Sequence, residues 1–322
     1  MAARLTVIVP TYNGSRFLRS SLDSLAMQTE APEIIVVDDG SSDDSAAIAE
    51  AHPAVTRVVR QVNRGVATAR NHGLALATTT YVAFMDQDDL WHQDRSSILL
   101  DLASSSRAAG VATTEQVFAR ASDKEKMLSA GDPRVDWPTH WIEDDHEADL
   151  VTTELDSSQG TDTVTVQRLM QGAAFVTTAV MYEREAAIAA GGCAPFVRAA
   201  DDHVLNVNIA NIFGPIQRAR VPALFYRVHA EATSNSSPMV APLLTLQLAL
   251  RYGRALPNVV EPGPNLQHLL SQVADQPGLS RGEQLSLLML NAPREERWRW
   301  IARWLRRVTK QELTRNRPKL DN

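Results

Sequence analysis

Three carboxylates, Asp86, Asp88 and Asp89, crowd together directly after the apolar run Tyr81-Val-Ala-Phe-Met85. That run has the length and the aromatic and β-branched character of a buried parallel strand. Its C-terminal end is where open α/β sheets bind ligands. Like charges massed there raise the free energy unless a cation compensates them. The fitting cations are the hard, oxygen-seeking Mg2+ and Mn2+, which would in turn hold a diphosphate. An isolated D-x-D is more often a solvated turn that caps the next helix, so the cluster gains its meaning from the chain upstream.

Four strand-like runs position these residues. Leu5-Thr-Val-Ile-Val-Pro10 leads into the turn Thr11-Tyr-Asn-Gly14, and then Phe17, Leu18, Leu22 and Leu25 recur at helical spacing. Ile34-Ile-Val-Val37 stops at Asp38-Asp-Gly-Ser-Ser-Asp43, where Asp43 or Asp44 is placed to cap a helix through His52. Thr56 to Arg60 is a short third strand, and Asn63-Arg-Gly65 turns into an alanine-rich helix around Val66 to Ala77. The acidic strand comes fourth, followed by a helix over Ser96 to Arg107. Strand alternating with helix predicts a doubly wound sheet and forces the loops after the strands onto one edge. There Tyr12 and Asp39 could hold a base, with Asp39 accepting a hydrogen bond from a pyrimidine N–H. Gly65 permits a positive-φ turn and close ligand approach, and Arg70 could face a phosphate or ribose. Taken singly, Tyr12 packs, Asp39 caps a turn and Arg70 pairs on a helix surface. Their agreement in order and spacing favours a site.

Composition narrows the classes. With 322 residues there is material for one large domain or two. A net charge of −6 argues against nucleic acid as a partner. The lone Cys193 excludes an intramolecular disulfide and a cysteine zinc site. No apolar run approaches the roughly 20 residues that span a bilayer, and the N-terminus does not resemble a signal peptide. The expectation is a cytoplasmic protein that could touch membrane only at its surface.

After Gly110 the regularity fades. Asp123 to Asp162 is polar and acidic and reads as a long loop or insertion. Helix is expected over Arg184 to Ala190, ended by Gly191-Gly192, and again over Asp201 to Asn211. Ile216 to Val228 reads as strands split at Pro222, and the remainder to residue 322 reads as helical.

Four segments in register resemble the family 2 glycosyltransferases. They are Val7-Ile-Val-Pro-Thr-Tyr-Asn13, Val36-Val-Asp-Asp-Gly-Ser-Ser-Asp43, Asn63-Arg-Gly-Val-Ala-Thr-Ala-Arg-Asn71 and Phe84-Met-Asp-Gln-Asp-Asp-Leu-Trp91. The resemblance implies the GT-A fold, a Rossmann-like, mostly parallel sheet flanked by helices, here with a helical C-terminal region appended. It also implies an inverting, metal-dependent, hexosyltransferase-type enzyme that uses a nucleotide-diphosphate sugar, with a UDP-sugar favoured. The D-x-D of the family falls on Asp86 and Asp88, with Asp89 next, to contact ribose and the diphosphate-bound Mg2+ or Mn2+. Nucleoside contacts fall on Pro10, Thr11, Tyr12 and Asp39, with Asn63 and Arg70 beside them. Asp202, paired with Asp201, aligns with the family's catalytic base. Tyr226-Arg-Val-His229 resembles its closing segment, where Arg227 would neutralise phosphate charge and His229 would complete the metal site. On this reading residues 1–110 bind the donor and 111–238 the acceptor, with a polar insertion over about 123–162. Residues 239–322 form the helical region. The acceptor would be a glycan or a lipid-linked sugar in cell-surface or secreted glycan biosynthesis.

The segment from Arg294 to Lys319 carries a separate signal. Trp298, Ile301, Leu305 and Val308 form an apolar stripe among arginines. Such a helix can lie on an anionic membrane or pack on its own domain or a partner. Two rival functions remain at this stage. A nucleotidyltransferase would need a glycine-rich basic loop after the first strand, and Thr11-Tyr-Asn-Gly-Ser15 supplies one glycine and no lysine. A binding protein that has lost turnover would keep the same fold.

Overall fold

The unbroken apolar runs of the N-terminal third become one side of a sheet that has ten strands among the described residues. In this computed structural model the described residues are 3–170, 174–194, 201–231, 285 and 297–315. β1 (Leu5–Thr11) and β2 (Glu33–Asp38) are buried almost throughout, as strands covered on both faces must be. β1 pairs in parallel with β2 and with β4 (Tyr81–Phe84), and β2 pairs in parallel with β3 (Arg57–Arg60). The spatial order β3-β2-β1-β4 therefore reverses between β1 and β4, the position where such sheets open a ligand crevice. The crossovers are α1 (Leu18–Ala26), α2 (Ser45–Ala51) and α3 (Val66–Leu76). Right-handed connections put α1 and α2 on one face and α3 on the other. α1 touches α2, while α3 packs on β1 and β2. Asp43 caps α2: its carboxylate accepts from the Ser45 N–H at 3.0 Å and the Ser15 N–H at 2.9 Å, whereas Asp44 makes no side-chain cap bond.

Beyond β4 the chain forms β5 (Leu90–Trp91), α4 (Arg95–Ser106) and the long β6 (Gly110–Arg120). The acidic stretch expected to be a loop is instead structured. It contains α5 (Ala121–Ser129), a 3-10 turn over Pro133–Asp136, β7 (His140–Ile142) and α6 (Glu147–Val151), with β8 (Thr161–Val164) at its end. Acids that look solvated in the sequence are buried counter-ions here. Asp123 accepts from Arg16 at 2.7 Å, and Glu147 accepts from Arg120 at 2.5 Å. α7 (Val166–Met170), β9 (Val180–Glu183), α8 (Arg184–Ala189), α9 (Asp201–Ile212) and β10 (Ile216–Arg227) follow. Gly191 and Gly192 end α8 at φ 95° and 67°, as their type allows.

β9 runs antiparallel to both β4 and β6, and β10 runs parallel to β6. The C-terminal ends of β1, β2, β4 and β10 therefore share one edge with the start of β9. β10 is one strand rather than two, because β6 pairs with it on both sides of Pro222. The proline falls where their register shifts, between Ala219 and Leu224.

The chain divides into two compact units, Met1–Leu169 with Ala173–Ala232 and Met170–Gly172 with Thr233–Asn322. Within the second, α10 (Arg297–Arg315) is a 19-residue helix. The rest of the expected helical region, 239–284, 286–296 and 316–322, lies outside the described residues. No helix among the described residues is long and apolar enough to cross a membrane.

Gly73 is the contact on which α3 lies close to the sheet. A Cβ there would overlap Cγ2 of Ile8, a stiff β-branched side chain with no exposed surface. Gly73→Ala is expected to destabilise the fold by about 1–3 kcal/mol from overpacking, outweighing the ~1 kcal/mol that alanine gains in a helix. Urea denaturation measures this, and a variant as stable as the parent would contradict the packing described.

Candidate active site

The turn after β4 holds the acidic cluster, and Gln87 ties it to the turn after β1. Thr11 Oγ1 and the Tyr12 N–H both donate to Gln87 Oε1, at 2.7 and 2.9 Å. Ser21 Oγ donates to the Gln87 and Asp89 carbonyls at 2.8 and 2.7 Å. The crevice at the strand reversal is thus cross-braced, with Pro10 and Thr11 buried and Tyr12 49% exposed. An exposed tyrosine ring on a braced turn is free to stack on a base.

Each aspartate of the cluster has a different partner. Asp86 Oδ1 accepts from Arg70 Nη2 at 2.6 Å, and the other arm of that guanidinium grips Asp201 bidentately at 2.9 and 2.8 Å. Arg70 therefore bridges the fourth strand's turn and the start of α9, 131 residues away from it in sequence. It does not face outward as expected for a phosphate or ribose ligand, because it is buried and committed to two carboxylates. Burial alone would lower its pKa, but Asp201 and Asp86 outweigh that and raise it well above the ordinary value. The Asp86 carboxyl is raised by burial, with Arg70 pulling it down and Asp88 pushing it up.

Asp88 faces His229, whose Nε2 lies 3.0 Å from Asp88 Oδ2. The His229 ring packs against Phe17 at a tilt of 55° with centroids 4.6 Å apart, and its buried Nδ1 has no hydrogen-bond partner among the described residues. Asp89 is fully committed elsewhere. Its two oxygens accept from Thr178 Oγ1 at 2.8 Å and from the Arg227 backbone N–H at 3.0 Å. Burial, then Asp88 and Asp86, push its carboxyl well up. Its place is that of a buried tie between the acidic turn, the turn ahead of β9 and the end of β10, in contrast to the expected metal ligand.

Arg227 likewise departs from the expected phosphate contact. It is sandwiched between Phe17 and Phe118, at 4.6 and 4.7 Å from the ring centroids. Its Nε donates to the Asp88 carbonyl at 2.5 Å, and its two terminal nitrogens donate to Glu147, one of them at 3.0 Å. This knot is what holds the acidic turn in place. Nothing in the sequence marked Glu147 apart from its acidic neighbours, since its meaning comes from the fold that delivers it to Arg227. Gln87 was visible only as the variable position of D-x-D.

Asp39 accepts from Gln61 Nε2 at 2.8 Å and from the backbone N–H groups of Arg64 and Gly65 at 2.9 and 2.8 Å. It shapes the turn in which Gly65 takes φ 89°, with open space where a side chain would begin. Its lone pairs are thus largely used by the chain, unlike the expected open acceptor for a base. Asn63 sits exposed on the same turn. Asn71 clamps the chain ahead of α9, exchanging hydrogen bonds with Cys193 at 2.7 and 2.8 Å.

Asp202 stands apart from these ties. It is buried in the first turn of α9, where the helix dipole favours a carboxylate, and no ion-pair partner reaches it among the described residues. Its carboxyl is pushed up to about 7, chiefly by burial and next by Asp201, with Arg70 pulling the other way. Asp88 and His229 are the pair whose oxygen and nitrogen could ligate a cation, and this donor set fits Mn2+ and accommodates Mg2+ through the carboxylate. Among the described residues no three His, Cys, Asp or Glu side chains are placed to ligate one ion. Further ligands would therefore come from a bound diphosphate or water.

Residues 6–129 match the sequence profile of Glycosyl transferase family 2. The uncharacterized glycosyltransferase YibD of Escherichia coli is 42% identical over 105 residues, 31% of this chain and 30% of that protein. The match thus spans about a third of the length of that relative. Among solved structures, S. aureus TarS 1–349 in complex with UDP-GlcNAc superposes with TM-score 0.60 and 18% identity, covering 96% of this chain and 82% of that one. The mannosyltransferase PcManGT from Pyrobaculum calidifontis, in complex with GDP-Man and Mn2+, gives TM-score 0.51 and 18% identity, covering 98% and 89%. At these identities the structures speak for the fold. Residues 6–129 thus resemble family 2 glycosyltransferases in sequence, and the fold is that of the GT-A structures among these neighbours.

The Arg227–Glu147 knot yields a stability prediction. Burial raises the Glu147 carboxyl, but hydrogen bonds from Arg227 and Arg120 outweigh it and pull the pKa from 4.5 to about 2. A depressed folded-state value means that the pair stabilises fully above pH 4.5, and that this contribution is lost as the pH falls toward 2. Glu147→Ala, which strands a buried guanidinium, is expected to cost about 3–5 kcal/mol and to flatten the acid limb of stability against pH. Denaturant titrations across that range measure both, and an unchanged acid limb would contradict the assignment.

Proposed function

We propose that the protein transfers a sugar from a nucleotide-diphosphate sugar to an acceptor hydroxyl with inversion at the anomeric carbon. The observation that carries this reading is Asp202. Among the described residues it is a buried carboxylate of the cluster with neither an ion-pair partner nor the hydrogen-bonded ties that occupy Asp89, and its pKa of about 7 is matched to proton abstraction. In the reaction Asp202 takes the proton of the acceptor hydroxyl, whose oxygen attacks the anomeric carbon from the face opposite the diphosphate. The bond from that carbon to the phosphate oxygen breaks, and its electron pair leaves with the nucleoside diphosphate. Asp88 and His229, with Asp86 beside them, are the side chains that would hold Mg2+ or Mn2+, whose charge offsets that of the leaving diphosphate. Arg70 orients the base indirectly by fixing Asp201 and neutralising two neighbouring carboxylates.

Tyr12 is the side chain we assign to stacking on the base. A UDP-sugar is the favoured donor, in keeping with the UDP-GlcNAc held by the structural neighbour TarS. A glycan or lipid-linked acceptor for cell-surface or secreted material, met on the cytoplasmic side of the membrane, completes the reading.

Ionised Asp202 is the active form, so turnover is expected to rise as the pH increases through about 7 and to fall below it. Asp202→Asn should lower turnover by about 10²–10⁴-fold, the usual worth of a general base, while donor binding followed by thermal shift is retained. Asp88→Ala should remove the metal-dependent part of donor binding as well as turnover. Arg70→Met should lower turnover and move the pH profile, because both neighbouring carboxylates lose their counter-charge. Product analysis decides the reaction class: a nucleoside diphosphate is expected, and release of pyrophosphate would point to nucleotidyl transfer instead. Normal transfer by Asp202→Asn would overturn the assignment of the base.

A further inference from the structure

α10 carries seven basic side chains and one acid, Glu312, in a chain whose total charge is −6. The positive charge is therefore concentrated against a strongly acidic remainder. At helical spacing Arg299, Arg303 and Arg306 fall on one face and the apolar side chains on the other. The apolar face is itself divided. Trp300, Ile301 and Val308 are buried, whereas Trp298 and Leu305, two turns apart, are 74% and 51% exposed. The sequence pattern offered Ile301 and Val308 to a membrane together with Trp298 and Leu305, but the first two are already covered. What stays exposed is a tryptophan and a leucine on the shoulder beside an arginine face. Arg303 stacks over the Trp300 ring at 5.2 Å, and Arg306 Nε donates to the Ala302 carbonyl at 3.2 Å, so this face has a defined shape.

We propose that this face of α10 docks the protein on an anionic phospholipid surface. Trp298 and Leu305 enter the boundary between headgroups and acyl chains, and Arg299, Arg303 and Arg306 meet lipid phosphates. Charge complementarity selects this partner. The rest of the chain is net acidic and is repelled by an anionic surface, so a basic patch biases the orientation of approach. The exposed apolar pair favours a lipid surface over a purely electrostatic partner, since tryptophan and leucine gain by leaving water and the arginines alone would not require them. With two apolar side chains available, the insertion is shallow and the binding depends strongly on charge and salt.

The test is sedimentation of the purified full-length chain with vesicles of phosphatidylcholine, or of phosphatidylcholine mixed with phosphatidylglycerol. Binding is expected to the anionic vesicles alone. It should weaken as salt shortens the screening length from about 10 Å at 0.1 M to about 3 Å at 1 M. Replacing Arg299, Arg303 and Arg306 together by Gln should lower affinity about 100-fold, at roughly fivefold per charge. Trp298→Ser combined with Leu305→Ser should also weaken it, with both variants keeping the parent's circular dichroism and nucleotide-diphosphate binding. No sedimentation with either vesicle, equal partition into both, or variants that bind like the parent would overturn the proposal. So would retention of RNA in place of vesicles. Retained nucleotide-diphosphate binding in the same samples separates this outcome from any failure of the proposed sugar transfer.

Discussion

Buried guanidinium groups allow so many carboxylates to share one edge of the sheet. Two like charges about 4 Å apart repel by roughly 4 kcal/mol in a protein-like dielectric, and burial adds a desolvation penalty for each. Arg70 offsets this for Asp86 and Asp201, and its planar fork fixes their geometry as well as their charge. Arg227 and Glu147 form a second buried pair directly behind the acidic turn, with the Arg227 guanidinium between two phenylalanine rings. Removing either guanidinium leaves carboxylates that must protonate or move apart. The active edge is therefore an electrostatic construction before it is a binding site.

The construction also explains how residues remote in sequence acquire distinct roles. Two carboxylates, Asp86 and Asp201, are occupied by Arg70, and Asp89 is occupied by Thr178 and the β10 backbone. That leaves Asp88 opposite His229, and Asp202 with no ion pair among the described residues, so the proposed ion ligand and the proposed base have different surroundings within one cluster. Because β10 runs parallel to β6, its end returns Arg227 and His229 to the edge where β4 ends. Sheet direction, rather than sequence proximity, brings the two halves of the site together.

The first four strands and their helices were legible because their signals are local: unbroken apolar runs, helical spacing and aspartate-rich stops. The places of the acidic turn, Asp202 and His229 on one edge of the sheet were legible through residue type and motif order. The roles of Arg70, Arg227, Asp39 and Asp89 were not. Each is a charged group on the right edge, and only the folded chain shows that its bonding capacity is already taken by another part of the protein. The stretch from Asp123 to Asp162 misled for the same reason. Its acids suggest solvent, yet Asp123 and Glu147 are buried against arginines contributed by Arg16, Arg120 and Arg227. Composition measures polarity but not pairing, and pairing decides whether a polar segment folds.

The most direct test of this account is a crystal structure with a nucleoside diphosphate and Mn2+, the ion located by its anomalous scattering. The account predicts manganese on Asp88 and His229 in contact with the diphosphate, Arg70 still joining Asp86 to Asp201, and Asp202 facing the space left for the sugar. A diphosphate and ion bound without Asp88, or Asp202 turned away from that space, would contradict it.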